Sequence, residues 1–361
     1  MPLAAGVTAA GVERSCYTPA APIARREEGT SEPVRRVVIG VLISIVFLFL
    51  ALRGQDFAAL FAALRAAEYW WLIPAILMYF FGVTVRAMRW SVLLRPVCRA
   101  SWRDLFPVVA IGYMANNVLP FRTGEVVRAY ALSQRFGASK TATLATIVIE
   151  RLLDGLTMLA FILIASVVVA LNSTLRHVAL LAAGVFLPTL ALALVAARSR
   201  HSMQLVQRVT LLLPGRFRPR IDRMVRASFD GIAALRHGPT VRTAAVLSVV
   251  AWLAEAAMYG LIARGFGLDL SPALVLLAAA VANLATLIPS SPGYVGPFEA
   301  GILLALSGLA GLPRATVFSY AIVLHGALYF PITLVGLAFW WQHQLSWTVI
   351  RRAQAEEASG S

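Results

Sequence analysis

The chain has 361 residues, of which 59% are hydrophobic and only 14% are charged. Soluble domains carry roughly 25% charged residues, and the mean hydropathy of this chain is +0.77. The composition therefore excludes an ordinary soluble enzyme and predicts an all-α polytopic membrane protein. The net charge of +15 does not indicate nucleic-acid binding, because the arginines cluster between apolar runs, as they do in the cytoplasmic loops of membrane proteins.

Six apolar runs are predicted to cross the membrane, which takes about 20 helical residues. Residues 1–34 lack the apolar region of a secretory signal and are predicted to form a disordered cytoplasmic tail. Residues 346–361 are predicted to form a second cytoplasmic tail. The predicted spans cover residues 37–52, 69–85, 141–171, 178–197, 243–263 and 315–341.

A polar interruption follows the apolar run at 105–115. It contains two adjacent amides, Asn116 and Asn117, then Pro120 and Gly124 as turn residues. Irregular backbone at membrane depth is tolerated only where protein or a wet cavity satisfies its N–H and C=O groups. The run is also short for a span, and basic residues lie on both sides of it. We therefore predict a re-entrant segment near 105–120, followed by a surface helix at 126–136 with Arg128 and Arg135 on its polar side. The charged side chains expected to contact a substrate here are Arg122, Glu125 and Arg128, since arginine forks bind phosphate in bidentate fashion.

A second interruption occurs late in the chain, within an apolar stretch at 273–311. Its prolines remove backbone donors and its glycines allow unusual turns, so we predict a re-entrant hairpin. The residues expected to form these turns are Pro289, Pro292, Gly293 and Gly296. Glu299 is expected either to cap the following half-helix or to contact a substrate.

Four charged residues are predicted to lie inside the membrane. Glu150 and Asp154 share a helical face, and Arg151 is three residues before Asp154, so it can neutralise that carboxylate. Ionisable groups at such depth are usually functional or paired. The three residues either line a substrate site or brace the loop that contains Arg122. Glu255 is the fourth such residue, in the fifth predicted span, whereas His325 is read as a hydrogen-bonded histidine of the bundle.

The two interruptions divide the chain into two membrane halves, residues 35–197 and 243–345, separated by a basic cytoplasmic loop at 198–242. Under the positive-inside rule, both termini are cytoplasmic and the halves have inverted topology. Paired breaks in inverted repeats are the usual sequence signal for the binding site of a secondary transporter. The outer loops would hold only five basic residues, namely Arg53, Arg65, Arg176, Arg264 and Arg314.

Together these motifs resemble the flippase-like family that includes the transmembrane region of lysylphosphatidylglycerol synthase. The resemblance lies in residues 116–125 with Arg128, in Glu150-Arg151 with Asp154, and in residues 289–299. It implies a bacterial-type inner-membrane protein that moves an anionic, aminoacylated or polyprenyl-type lipid between leaflets. The chain ends after the membrane region, so lysyl transfer is not expected.

The sequence therefore predicts a lipid transporter and not an enzyme, with no metal site and no other cofactor. No nucleophile elbow, phosphate-binding loop or metal-ligand spacing is present. The alternative is a non-transporting membrane partner of a glycosyltransferase or of a lipid-modifying enzyme, with the basic loop as its docking surface.

Overall fold

The computed structural model describes residues 31–119, 123–199, 210, 218–307 and 312–342, with side chains from residue 42 onward. Most of the predicted tails, together with Pro120 and Arg122, lie outside the described residues. The described part contains α-helices and short 3₁₀ turns. The helices are α1 (Ser31–Leu52), α2 (Phe57–Ala66), α3 (Leu72–Leu93), α4 (Trp102–Val118), α5 (Gly124–Phe136), α6 (Lys140–Ser166), α7 (Ser173–Arg198), α8 (Arg218–Ile232), α9 (Gly238–Gly265), α10 (Pro272–Ala285), α11 (Pro297–Leu306) and α12 (Arg314–Gln342).

Four segments of the described chain are long and apolar enough to cross a membrane: 69–93, which contains α3, and the helices α7, α9 and α12. α1 and α2 would add a fifth span if they count as one, although they are bent by 88°. Exposed leucines such as Leu180 and Leu181 on α7 suit a lipid-facing surface. The predicted class, an all-α multi-pass membrane protein, is confirmed.

The predicted number of six spans stays a prediction. α6 is long enough to cross, with 27 residues and a length of about 40 Å at 1.5 Å per residue. It is not among the apolar spans because Glu150, Arg151 and Asp154 lie within it. Burial of this charged stretch against other helices explains how such a helix is accommodated.

The helix α4 and the helix α5 form an antiparallel hairpin at the first interruption. Arg128 packs over Gly112, Gly124 packs against Asn116, and Arg135 on α5 reaches Asp104 at the other end of α4. The backbones touch, because a Cβ added at Gly124 would overlap the carbonyl oxygen of Gly112. A chain that turns back on itself is the arrangement expected of a re-entrant segment, although its depth in the bilayer stays a prediction.

The second interruption is built in the same way. α10 and α11 pack against each other across the break at 286–296, and a Cβ added at Gly301 on α11 would meet the backbone of Ala282 on α10. Each half therefore consists of a long helix, a broken hairpin and a closing helix.

Contacts between the two halves repeat the same pattern twice. α12 packs on α4, and α6 packs on α10, so each closing helix covers the first arm of the other half's hairpin. α3 and α9, the opening helices, pack extensively on each other. This reciprocal packing of the closing helices is the arrangement that a pseudo-two-fold repeat would produce. The inverted orientation of the halves in the membrane stays a prediction.

Within the predicted basic loop at 198–242, the described residues include α8 and a 3₁₀ turn at Ala233–Arg236. α8 packs on α6, because Gly231 allows it to approach the backbone at Ala142 closely. The exposed face of α8 carries arginines, including Arg223 and Arg226.

The Gly112–Gly124 contact gives a test of the hairpin. In Gly124→Ala the new methyl group has no room, so we expect a loss of about 1–3 kcal/mol in unfolding free energy. Gly184→Ala on α7 is the matched control, since nothing lies within 4 Å of that position and alanine favours a helix. Thermal unfolding of purified protein in detergent measures both. Equal stability of the two variants would contradict the packing described.

Candidate functional site: a polar cavity between two broken hairpins

The first broken hairpin is closed by its two asparagines. Asn116 Oδ1 accepts a hydrogen bond of 2.7 Å from the backbone N–H of Gly124, which begins α5. Asn117 Nδ2 donates to the backbone oxygen of Tyr329 at 3.2 Å and to Thr333 Oγ1 at 2.8 Å. The hydroxyl of Tyr329 in turn donates to the Asn117 carbonyl at 3.2 Å. α12 therefore holds the side-chain amide and the backbone carbonyl of Asn117 at this tip.

The second break contains a tight 3₁₀ turn at Pro292–Tyr294. Three residues here have a positive φ: Gly293 at 74°, Tyr294 at 60° and Gly296 at 97°. Glycine adopts this region freely, whereas a bulky residue such as tyrosine does so rarely. Tyr294 is nevertheless held in the left-handed region.

Glu299 closes this turn on one side, and His325 of α12 closes it on the other. One Glu299 carboxylate oxygen accepts from the N–H of Gly296 at 2.7 Å, which is the capping role considered for it. The other oxygen lies 2.5 Å from His325 Nδ1, and His325 Nε2 lies 2.7 Å from the Gly293 carbonyl oxygen. His325 is thus hydrogen-bonded inside the bundle, as the sequence suggested, and it ties α12 to the second break.

Both breaks border one polar cavity of about 120 Å³. A Cβ on Gly293 would come within 3.6 Å of the Asn117 carbonyl oxygen, so the two tips nearly touch. Aromatic, amide and charged side chains from both halves form its wall. The residues that line it are Tyr79, Arg86, Tyr113, Asn116, Asn117, Arg151, Trp252, Glu255, Asn283, Thr286, Gly293, Tyr294, Phe298, His325, Leu328 and Tyr329.

The cavity lies deep along the helices. α9 ends and α12 begins at the same end of the bundle, where the rings of Phe266 and Tyr320 pack 6.1 Å apart. At 1.5 Å per residue, Glu255 and His325 are about 15 Å from those helix ends. Since the hydrocarbon core of a bilayer is about 30 Å thick, this distance is the one expected of a midplane site, and the position of the cavity in the bilayer stays a prediction.

On one wall, a buried ion pair joins the opening helices of the two halves. Arg86 Nη2 of α3 lies 2.6 Å from Glu255 Oε2 of α9, and the guanidinium also stacks on Trp252, with 4.5 Å between its carbon and the ring centroid. Asn283 of α10 donates to the other oxygen of Glu255 at 3.2 Å and to the hydroxyl of Tyr259 at 3.1 Å. A carboxylate so bonded is held in one orientation.

A second ionic cluster lies behind this wall and joins α3 to α6. Arg89 Nη1 lies 2.5 Å from Asp154 Oδ1 and 2.8 Å from Ser248 Oγ, while its Nη2 is 3.3 Å from Glu150 Oε1. Arg128 of α5 binds the other Glu150 oxygen at 2.7 Å. Buried charges survive only when paired and hydrogen-bonded in this way.

These pairs correct two sequence predictions. Arg128 was placed on the polar side of a surface helix, but it is only 5% exposed, because that face of α5 packs on α4 and stacks the guanidinium over Trp90. Arg86 and Arg89 belong to the arginine group read as a cytoplasmic signature, yet both are buried in α3. Carboxylates on distant helices, invisible to a local charge count, neutralise them.

Arg151 is the arginine most open to the cavity. Its side chain is 31% exposed, and its contact with Asp154, predicted from the i,i+3 spacing, is 3.4 Å long. Its Nε has no hydrogen-bond partner among the described residues. Glu125, which the sequence placed among the substrate contacts, has one carboxylate oxygen buried without a partner among the described residues.

The structure separates the predicted site residues into two groups. Four line the cavity: Asn116, Asn117, Arg151 and Glu255. Four others are engaged behind it or beside it: Arg128, Glu150, Asp154 and Glu299. Among the predicted turn residues, Gly293 borders the cavity. Of the rest, Gly124, Pro292 and Gly296 form the breaks, and Pro289 is exposed beside them.

Several cavity residues were not singled out by the sequence. The aromatic side chains Tyr79, Tyr113, Trp252 and Tyr329 read as ordinary apolar span residues. Asn283 had a signal, because it is an amide within an apolar run just before the second break, as Asn116 is before the first.

Fold and site together define a multi-pass helical membrane protein with a polar cavity between two broken hairpins. The sequence profile of the family described as lysylphosphatidylglycerol synthase TM region matches residues 37–336, and the chain belongs to this family.

Two UPF0104 membrane proteins of Methanothermobacter thermautotrophicus are similar to it. One is 26% identical over 84% of this chain and 93% of its own, and the other 25% identical over 75% and 83%. Glycosyltransferase AglD of Haloferax volcanii is 24% identical over 83% of this chain, which spans about half (53%) of that protein. No solved structure matches the chain.

The cluster around Arg89 predicts a large difference between buried and exposed arginines. Arg89→Leu leaves Glu150 and Asp154 buried with reduced compensation, and we expect a loss of about 3–5 kcal/mol in unfolding free energy. Arg135→Leu is the control, since the Arg135–Asp104 pair is exposed and worth about 1 kcal/mol or less. Unfolding in mixed micelles compares the two. A similar loss in both variants would show that the buried cluster adds no special stability.

Proposed function

We propose that this protein moves a lipid that carries a phosphate between the leaflets of the membrane. The observation that carries the proposal is a polar cavity, about 15 Å from the helix ends, to which both broken hairpins contribute. Broken helices that meet at midplane depth are the usual site of a transported group.

The cavity has the chemistry for an anionic group. Arg151 presents a guanidinium whose side chain is 31% exposed and whose contact with Asp154 is 3.4 Å long, and Asn116 and Asn117 add amide groups to the same wall. A guanidinium binds phosphate oxygens through parallel hydrogen bonds. Arg86 is occupied by Glu255, so Arg151 is the cation assigned to the headgroup.

The cavity has room for a small headgroup. Its volume of about 120 Å³ accommodates a phosphate group. An apolar groove of about 360 Å³ lies on the opposite face of the α10–α11 hairpin. Directly after α10, Thr286 lines the polar cavity, while Leu287 and Ile288 line the groove. A polar site beside an apolar groove matches a lipid, whose chain stays in an apolar environment while its phosphate moves.

The anionic, aminoacylated and polyprenyl-type lipids expected from the sequence share this chemistry of a phosphate next to a hydrocarbon chain. We also propose that the protein is not an enzyme, because Glu150, Asp154 and Glu255 are each bonded to an arginine and none is poised as a general base. As part of the same proposal, the protein lies in the plasma membrane, a bacterial-type inner membrane, and both of its termini are in the cytoplasm.

A leaflet-resolved assay tests the transport proposal. The protein is reconstituted into vesicles that contain a fluorescent phosphatidylglycerol or a fluorescent polyprenyl phosphate, and a membrane-impermeant quencher reports the outer leaflet. We expect the wild type to move at least one of the two lipids. Arg151→Gln should slow this movement about tenfold or more, as expected for loss of a charge-assisted hydrogen bond.

Arg226→Gln, on the exposed face of α8, is the matched control and should move lipid at the wild-type rate. Thermal unfolding of all three proteins confirms that each is folded. Movement of neither lipid by the wild type, or an unchanged rate in folded Arg151→Gln, would argue against the proposal.

A second candidate function is a non-transporting membrane partner of a glycosyltransferase or lipid-modifying enzyme. The similarity to about half of a protein named glycosyltransferase AglD favours it, and the arginines of α8 would form the docking surface. Copurification from native membranes tests this candidate: a protein with glycosyl-transfer activity should be retained by the wild type and lost from Arg223→Glu/Arg226→Glu. Retention by both, or by neither, would contradict docking through α8.

A further inference from the structure

His325 lies between two hydrogen-bond acceptors. Its Nδ1 faces a carboxylate oxygen of Glu299 at 2.5 Å, and its Nε2 faces the carbonyl oxygen of Gly293 at 2.7 Å. A carbonyl oxygen can only accept, so Nε2 must carry a hydrogen. Neutral imidazole has one N–H, and its Nδ1 would then point a lone pair at an ionised carboxylate. Both contacts are hydrogen bonds only if the Glu299–His325 pair holds one additional proton.

The proton has a route to and from water. The side chain of His325 is 13% exposed and borders the polar cavity. Glu299 is more deeply buried, and its second oxygen is occupied by the N–H of Gly296, so exchange occurs at the histidine. The ring of Phe298 packs 4.6 Å away and the ring of Tyr329 6.4 Å away, measured between centroids.

Few charged or titratable groups lie near His325, and most of them already have a bonding partner. From α11, Glu299 contacts the ring directly. From α12 itself, Tyr329 is bonded to the backbone of Asn117. The other groups of this kind around the cavity come from α3, α4, α6, α9 and the second break, and they are Tyr79, Arg86, Tyr113, Arg151, Glu255 and Tyr294. Since Arg86 and Glu255 neutralise each other, Arg151 is the cation left to oppose a charge on His325.

The contacts of His325 with Glu299 and Gly293 hold a turn whose backbone is unfavourable. Gly293 and Tyr294 both have left-handed backbone, which is unfavourable for a non-glycine residue such as Tyr294. The bond from His325 to the Gly293 carbonyl fastens this turn to α12. Removal of the proton turns the Nδ1 contact into a repulsion between lone pairs, or, after a tautomer change, turns the Nε2 contact into one. Either way, one of the two attachments is lost.

We propose that the Glu299–His325 pair is a proton-binding site that couples lipid movement to a proton. With the proton bound, the turn at 292–294 is fastened to α12 beside the first tip and the cavity is closed on this side. With the proton released, the turn detaches and the cavity opens, and a bound anionic headgroup near Arg151 favours return of the proton. The proton is taken from water and returned to water. This inference rests on the proposed function, because the coupled cargo is the lipid of that proposal.

The first test is a direct measurement of the histidine. Full-length protein labelled with ¹⁵N-histidine is placed in nanodiscs, and the ring nitrogen resonances are followed from about pH 5 to pH 9, the range in which histidine changes charge. We expect one titrating signal that is missing in His325→Gln and retained in His177→Gln, a change at an exposed position of α7. A His325 signal that is constant across this range would overturn the proposal.

The second test is transport under an imposed pH gradient, in the vesicle assay with labelled phosphatidylglycerol and polyprenyl phosphate. Reversal of the gradient should change the initial rate at least about fivefold in the wild type and in His177→Gln, within the usual range of coupling between two sites. It should have no effect in His325→Gln. Should that variant fail to fold, Glu299→Gln takes its place, because its amide oxygen can still cap Gly296.

The outcomes separate the two proposals. Lipid movement that ignores the gradient in the wild type overturns proton coupling and leaves transport standing. No lipid movement under any gradient overturns both. A gradient effect that persists in folded His325→Gln assigns the proton to another group and also overturns this inference.

Discussion

The structure depends on satisfying the polar groups of the two breaks in its apolar helices. Water is absent from the bilayer core, so each interrupted N–H and C=O needs a partner from protein or from a wet cavity. One face of α12 supplies much of this need: Thr333 and Tyr329 hold the first tip, and His325 holds the second. Side chains next to each break accept further backbone N–H groups: Asn116 accepts from Gly124, and Glu299 accepts from Gly296.

Charge burial adds a second layer of constraint around the same place. Arginines of α3 reach carboxylates on α6 and α9, so the opening helices of both halves are joined by bonds that tolerate little displacement. Buried ion pairs contribute uncertain net stability, but breaking one partner is costly. These ion pairs form one wall of the cavity, opposite two hairpin tips held by hydrogen bonds to α12. We expect motion at the tips rather than at this wall, because separating buried charges is costly.

The sequence predicted the class and the two breaks because both depend on local signals. Long apolar runs identify spans, and prolines and glycines within them identify interruptions. The prediction from the charge pattern was wrong at Arg86, Arg89 and Arg128. An arginine that follows an apolar run is read as a loop residue, whether or not the folded protein pairs it with a carboxylate. Glu255 lies 169 positions from Arg86, and no local pattern reports such a partner. The role of α12 was missed for the same reason. Its polar side chains carry no local signal in the sequence, and their partners lie in the distant breaks.

The spacing of the bonding side chains on α12 has a mechanical consequence. His325, Tyr329 and Thr333 follow one another every four residues, so they form a ladder of similar rungs along one stripe of the helix. A slide of α12 by four residues, about 6 Å at 1.5 Å per residue, would bring Tyr329 to the level now held by His325 and Thr333 to that of Tyr329. Each tip would then meet a polar side chain of α12 again, so the spacing of these side chains offers polar partners at two levels of the helix.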